Sequence, residues 1–161
     1  MTWLLILLCL ALVISPLMWF KQSPHQQQVM ELRRLATSLL LQVKLHRRPD
    51  AREDELRLEM VCYRLPWSDA DYRQHWVLQR YSERGWESHC DGWHWYLNQS
   101  SAAIHDALAQ VTREMPESVT ALVASDEGIG VIWSERGDAD DVQKINQLLL
   151  LLRQKAEEIC L

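Results

Sequence analysis

Hydrophobic positions follow three different patterns along the chain. Residues 3–20 form a continuous apolar run with no charged side chain. At 1.5 Å per residue these eighteen residues would make a helix of about 27 Å, close to the roughly 30 Å hydrocarbon thickness of a bilayer. Trp3 and Trp19 stand near its two ends, where amphipathic indoles favour the headgroup level. The run predicts a transmembrane helix over residues 1–22, with Trp3, Trp19 and Lys21 at the membrane interface. Pro16 lies within it, as membrane helices tolerate.

The second pattern is helical. Val29, Leu32, Ala36 and Leu39 recur at three- and four-residue spacing, which predicts an amphipathic helix over 24–38. Ser23 is placed to cap it. Pro24 suits the first helical position, and Gln26 sits where a capping-box partner belongs. The juxtamembrane helical segment is therefore 23–40. Ile104, Leu108, Val111 and Met115 predict a further helix over 101–115, closed by Pro116. A last helix follows the capping residue Asp138, and Asp140 and Asp141 suit its positive end. The five leucines 148–152 surround that helix.

The third pattern is β. Leu41–Leu45 alternates, as does the start of Leu56–Leu65. His75–Ser82 places Trp76 and Leu78 on one face, and Val77, Gln79 and Tyr81 on the other. Trp93–Leu97 is aromatic and β-prone. Val119–Ser125 and Ile129–Trp133 flank Asp126–Glu127–Gly128 as a hairpin. Gly85, Asp91–Gly92 and Glu135–Arg136–Gly137 mark turns. The order is a membrane helix, one helix, four strands, a helix, two strands and a helix. This is an α+β class, a mostly antiparallel sheet with helices on a face. The organisation is an anchor at 1–22, the juxtamembrane helix at 23–40 and one α+β domain at 41–161.

Charge and cysteine usage orient this picture. Residues 1–2 carry no Lys or Arg, and no small-x-small cleavage site follows the apolar core, so the run reads as an uncleaved anchor rather than a secretory signal. Leu8 directly before Cys9 argues against lipoprotein processing. Lys21, Arg33 and Arg34 follow the run with none before it. Positive-inside then places the N-terminus outside and the domain in the cytosol of an inner, or plasma, membrane. Cys9, Cys62, Cys90 and Cys160 are widely spaced, which suits a reducing compartment better than a disulfide framework. Residues 21–84 hold twelve basic and nine acidic side chains, and residues 85–161 hold five and thirteen. The acidic distal half argues against a nucleic-acid partner. The lipid bilayer is the expected partner, together with another membrane or membrane-proximal protein.

Candidate chemistry is sparse. His89, Cys90 and His94 are the only close grouping with metal-ligand character, but in a strand His89 and Cys90 would point to opposite faces, and no second cluster completes four ligands. Cys62 with His75, or Cys90 with His94, could in principle form a nucleophile–base pair, yet no oxyanion loop accompanies either. Gly128–Ile129–Gly130 lacks the strand-to-helix setting of a phosphate loop. Asp138, Asp140 and Asp141 are explained by helix capping. No catalytic residue and no cofactor is predicted. Six of the eight tryptophans lie beyond the apolar run in a chain with one Phe. They are expected to supply core and cross-strand pairs, with Trp67, Trp86, Trp93 and Leu150 as candidate partner contacts.

Phe20-Lys21-Gln22-Ser23-Pro24-His25-Gln26-Gln27-Gln28, leaving a single apolar run through a Pro-x-Gln step, resembles the YajC family, the small auxiliary subunit of the bacterial Sec preprotein translocase. The resemblance covers about the first thirty residues and implies a translocase-accessory role. Gln27 and Gln28 stand where that family carries paired basic residues. Its Gly-rich strand after the membrane is absent, and the tail here is longer and rich in tryptophan. The expected function is a membrane-anchored, non-enzymatic interaction or accessory module. The alternative is a membrane-tethered enzyme or metal-binding domain using His89, Cys90 and His94.

Overall fold

The computed structural model describes Trp3 and residues 23–56, 58–68 and 75–158. The expected anchor, including Trp19 and Lys21, lies outside the described residues apart from Trp3, as do Cys9 and Cys160. Among the described residues no helix is long and apolar enough to cross a membrane. The chain divides into two compact units, Met1–Glu31 and Leu32–Leu161, with the boundary inside the first described helix.

That helix, α1, spans Pro24–Ser38. Its start is a reciprocal capping box. The Gln26 amide donates to Ser23 Oγ, and the Ser23 amide donates to Gln26 Oε1, both at 3.3 Å. Two otherwise orphaned donors are thereby satisfied. From Leu32 onward the helix belongs to the larger unit, where Leu32 and Ala36 are buried in the main core. Its end is a Schellman-type turn, with the Leu41 amide reaching back to the Ala36 carbonyl at 3.0 Å. Leu40 occupies the left-handed position at φ 65° and is exposed. A branched side chain there costs about 1–2 kcal/mol, and glycine is the usual occupant. Leu40→Gly is expected to stabilise the domain by about 1 kcal/mol, read as a higher urea midpoint with an unchanged slope.

Seven antiparallel strands follow: β1 Gln42–Arg47, β2 Glu59–Leu65, β3 Trp76–Arg80, β4 Trp86–Glu87, β5 Trp93–Leu97, β6 Val119–Ser125 and β7 Gly128–Trp133. They form one sheet in the order β1-β2-β7-β6-β3-β5-β4. A 3₁₀ turn at Ala102–Ile104 leads into α2, His105–Glu114, and α3 runs from Ala139 to Glu158. The described fold is thus a small α+β domain with three helices and an antiparallel sheet.

Two differences from the sequence pattern stand out. There are five strands before α2, not four. The added β4 is only two residues long and pairs Trp86 with Trp95 and Glu87 with His94. Gly85 precedes it at φ 104°, where a Cβ would collide with the Trp95 carbonyl. That glycine signals close strand approach as well as a turn. The second difference is in β2, which starts at Glu59 rather than Leu56. Leu56 is fully exposed in the β1–β2 connection. That charged connection is held by Arg48, which forks to Asp50 and Glu55, and by Arg84 donating to the carbonyls of Asp50 and Ala51 at 3.3 Å.

The alternation along the strands sorts the core. Trp76 and Leu78 join the cluster that also contains Leu108 and Val111 of α2 and Ile145, Leu149 and Leu152 of α3. Val77 falls in a second cluster with Cys62, Ala121, Val123 and Ile132, all strand residues. The helices therefore cover one face of the sheet, and small apolar side chains line the other. Asp138 caps α3 through Oδ1, which accepts from the amides of Asp140 and Asp141 at 3.0 Å. The acidic triplet is spent on the helix start, as expected. Gly128 and Gly130 lie within β7, so no phosphate-loop geometry forms there.

Candidate functional site

The sheet edge at β4–β5 and the neighbouring end of α2 frame a groove of about 690 Å³, lined among others by Arg80, His89, Cys90, Trp93, Thr112 and Arg113. Each wall follows from local structure. Arg80 ends β3, and its guanidinium donates to the carbonyls of Pro116 at 3.2 Å and Thr112 at 3.3 Å. It thus supplies a cation to the negative end of α2. The same group lies 4.6 Å from the Trp93 ring centroid, a cation–π distance. Arg80 is a bracket between sheet and helix.

The turn 88–93 is wound on Ser88. Its Oγ donates to the Trp93 carbonyl at 2.6 Å and accepts from the Cys90 amide at 3.1 Å. Gly92, at φ 74°, completes the reversal. Cys90 and His89 lie in this turn, and His94 follows it in β5. Cys90 is buried, and burial raises its thiol pKa. The exposed His89 ring lies on His105, with centroids 3.9 Å apart and planes 19° apart. His94, between the core-facing Trp93 and Trp95 of β5, lines the same groove as His89 and Cys90. Among the described residues no group of three His, Cys, Asp or Glu side chains could hold a metal ion. The three residues share the groove wall but do not gather into a ligand set.

The proposed cysteine–histidine pairs meet a similar obstacle. Cys62 is fully buried on the helix-free face, and burial pushes its thiol up to about 11. That is the wrong direction for a nucleophile, which needs thiolate near neutral pH. His75 instead pairs with Asp126 at 2.6 Å.

The candidate partner contacts also divide. Trp93 is 3 % exposed and belongs to the core, so it is not a surface contact; the register that pairs it with Arg80 turns it toward the helices. Trp86 is 43 % exposed on the edge strand, where it pairs with Trp95 of β5. Trp67 is half-buried and donates from Nε1 to the Ser125 carbonyl at 2.6 Å. Leu150 is 39 % exposed on α3 beside a shallow hollow that includes Arg153 and Glu157. These two grip the segment around Trp67. Arg153 donates to the Pro66 carbonyl at 2.9 Å, and Glu157 accepts from the Ser68 amide at 2.7 Å. Trp67 and Leu150 thus share one end of the fold's surface, and Trp86 belongs to the β4–β5 edge.

Two polar networks carry no sequence signature. Glu135, 7 % exposed, accepts from Arg33 Nε at 2.7 Å, Arg33 Nη2 at 2.6 Å and Tyr63 Oη at 3.0 Å. Burial and the nearby carboxylate hold the Tyr63 phenol well above its ordinary range, so it stays a neutral donor. Hydrogen bonding to Glu135 raises the Arg33 pKa. On the other face Glu127 bridges Lys44 and the buried Arg64. The Lys44 hydrogen bond, then the Arg64 charge, holds its carboxyl below the ordinary range. Each network joins residues 63 to 102 positions apart, beyond any spacing rule. The one legible signal was Glu135 in an expected turn before a helix.

Compared with known proteins, the chain matches no family model, no curated protein and no solved structure.

Proposed function

We propose that this chain is a single-pass membrane-anchored protein whose α+β domain serves in the cytosol as a non-enzymatic interaction or accessory module. The observation that carries this reading is an uncharged apolar run over 3–20 followed by a folded domain that keeps large apolar side chains, Trp86 and Leu150, at its surface. The strongest charged clusters support the same reading. Arg80 braces a helix end, Asp138 caps a helix, and Glu135 ties α1 to the sheet. Each is satisfied by the fold itself. The resemblance of residues 20–28 to the YajC family points the interaction toward a membrane assembly such as a translocase. The partner is then another membrane or membrane-proximal protein.

A reporter fused after Leu161 tests the orientation. Activity of a cytosol-dependent reporter is expected. Activity confined to the outside of the membrane would refute the cytosolic assignment. A photo-crosslinking residue at position 86 or 150, with the chain in its native membrane, tests the interaction. One reproducible crosslinked species is expected from at least one of the two positions, and none from the buried position 93. Diffuse labelling indistinguishable among the three positions would count against a specific partner surface.

A further inference from the structure

His89 and His105 come from different elements. The first lies in the β4–β5 turn and the second opens α2. Their rings stack at 3.9 Å, and Trp95 stands 6.4 Å from each. His89 Nε2 lies 3.1 Å from the His105 carbonyl oxygen. A carbonyl only accepts, so that nitrogen carries the hydrogen. On His105, Nε2 is buried and has no partner. The Ser100 backbone favours the protonated ring. A proton taken up by His105 at Nε2 enters a buried position without a hydrogen-bond partner. There it would create a buried N–H with no acceptor, against the face of a second imidazole and at the positive end of a helix.

We propose that the His89–His105 stack is an acid-released clasp, which holds the β4–β5 turn on the start of α2 while His105 is neutral and lets it go when His105 takes up a proton. The turn residues 89–92 form one wall of the groove, and Ala109, Thr112 and Arg113 of α2 form another. Release of the turn therefore opens that groove. The titratable and charged groups acting on His105 are His89 across the stack and Asp106 beside it in the chain. The Ser100 backbone and then Asp106 favour the proton. Burial, first, and then His89 oppose it, and their sum holds the His105 pKa below 6.5. A released His105 regains its ordinary affinity for a proton, so the open state binds protons first as pH falls. The clasp is fully closed above about pH 6.5 and weakens progressively below it. The opening constant grows by up to about tenfold for each unit by which the closed-state pKa lies under the ordinary one.

Amide hydrogen exchange on the full chain in its membrane or in micelles tests this at about pH 7.5 and about pH 5, with rates corrected for intrinsic exchange. Residues 88–92 and 101–106 should lose protection at the lower pH, while β6 and β7 keep theirs. His105→Phe preserves a stacked ring without a titrating nitrogen and should abolish the response. His89→Ala removes the stack and should show, already at the higher pH, the exchange that the unaltered chain reaches in acid. Equal protection at both pH values, an acid response that survives in His105→Phe, or loss spread equally over β6 and β7 would each overturn the proposal.

Discussion

Replacing Trp95 by alanine is expected to cost about 4 kcal/mol of unfolding free energy. The indole is 1 % exposed and meets Trp76 edge-to-face, with centroids 5.8 Å apart and planes at 89°. Such contacts add to the area that a large ring removes from water. Trp95 also pairs across the sheet with Leu78 on one side and Trp86 on the other. Truncation opens a cavity where the edge strands depend on it. A domain of this size has only about 5–15 kcal/mol in reserve, so the loss removes a large share. It should be seen as a fall in the denaturant midpoint and a drop of roughly 10 °C in Tm. Trp86→Ala is the matched control, since its ring is 43 % exposed. It should cost less than about 1 kcal/mol. Equal costs for the two variants would contradict the assignment of Trp95 to the core and Trp86 to the surface.

Glu135→Ala is the second large effect, at about 3 kcal/mol. Its carboxylate is the common acceptor for Arg33 and Tyr63. The Arg33 side chain is 46 % exposed and can turn to water, which places the loss at the lower end for a buried pair. The Tyr63 side chain has no such exit, because it is fully buried with its ring packed on Trp133. Its hydroxyl would be left without a partner, a cost of about 1–3 kcal/mol by itself. Arg33→Met should cost a similar amount for the converse reason, leaving a buried carboxylate with a single neutral donor. The double variant should fall short of the sum by about 1–3 kcal/mol, because the two residues share one interaction. Strict additivity in chemical denaturation would show that the pair is not coupled. Hydrogen exchange in Leu32–Ser38 is the local readout, since Arg33 fastens that part of α1 to the sheet.

Where sequence and structure agree, the determinants are local. The capping box at Ser23 and Gln26 needs only residues three apart. So does the Asp138 cap of α3. The buried stripe Ile104–Leu108–Val111–Met115 follows from helical period alone. Trp76 and Leu78 reach the helix-covered face because strand side chains alternate. Where they diverge, the determinants are distant. The two-residue β4 has no pattern of its own and exists because β5 offers it a ladder beneath Gly85. Trp93 reads as a candidate partner contact in a β-prone segment, yet its register with Arg80 buries it. His89, Cys90 and His94 are close along the chain and line one groove, yet they do not gather into a metal-ligand set. His89 finds His105 instead, sixteen positions away.

The sequence by itself determined the positions of the three described helices along the chain, the alternation of the strands, the hairpin at Asp126–Gly128 and the uncharged character of residues 3–20. These depend on period, capping and transfer from water, which act within a few residues. Only the tertiary structure decided which polar side chains meet. The strand order β1-β2-β7-β6-β3-β5-β4 brings Tyr63 beside Glu135 and places the β4–β5 turn at the start of α2. Burial then gives those meetings their energy, because a charge or an unpaired N–H costs little in water and several kcal/mol away from it.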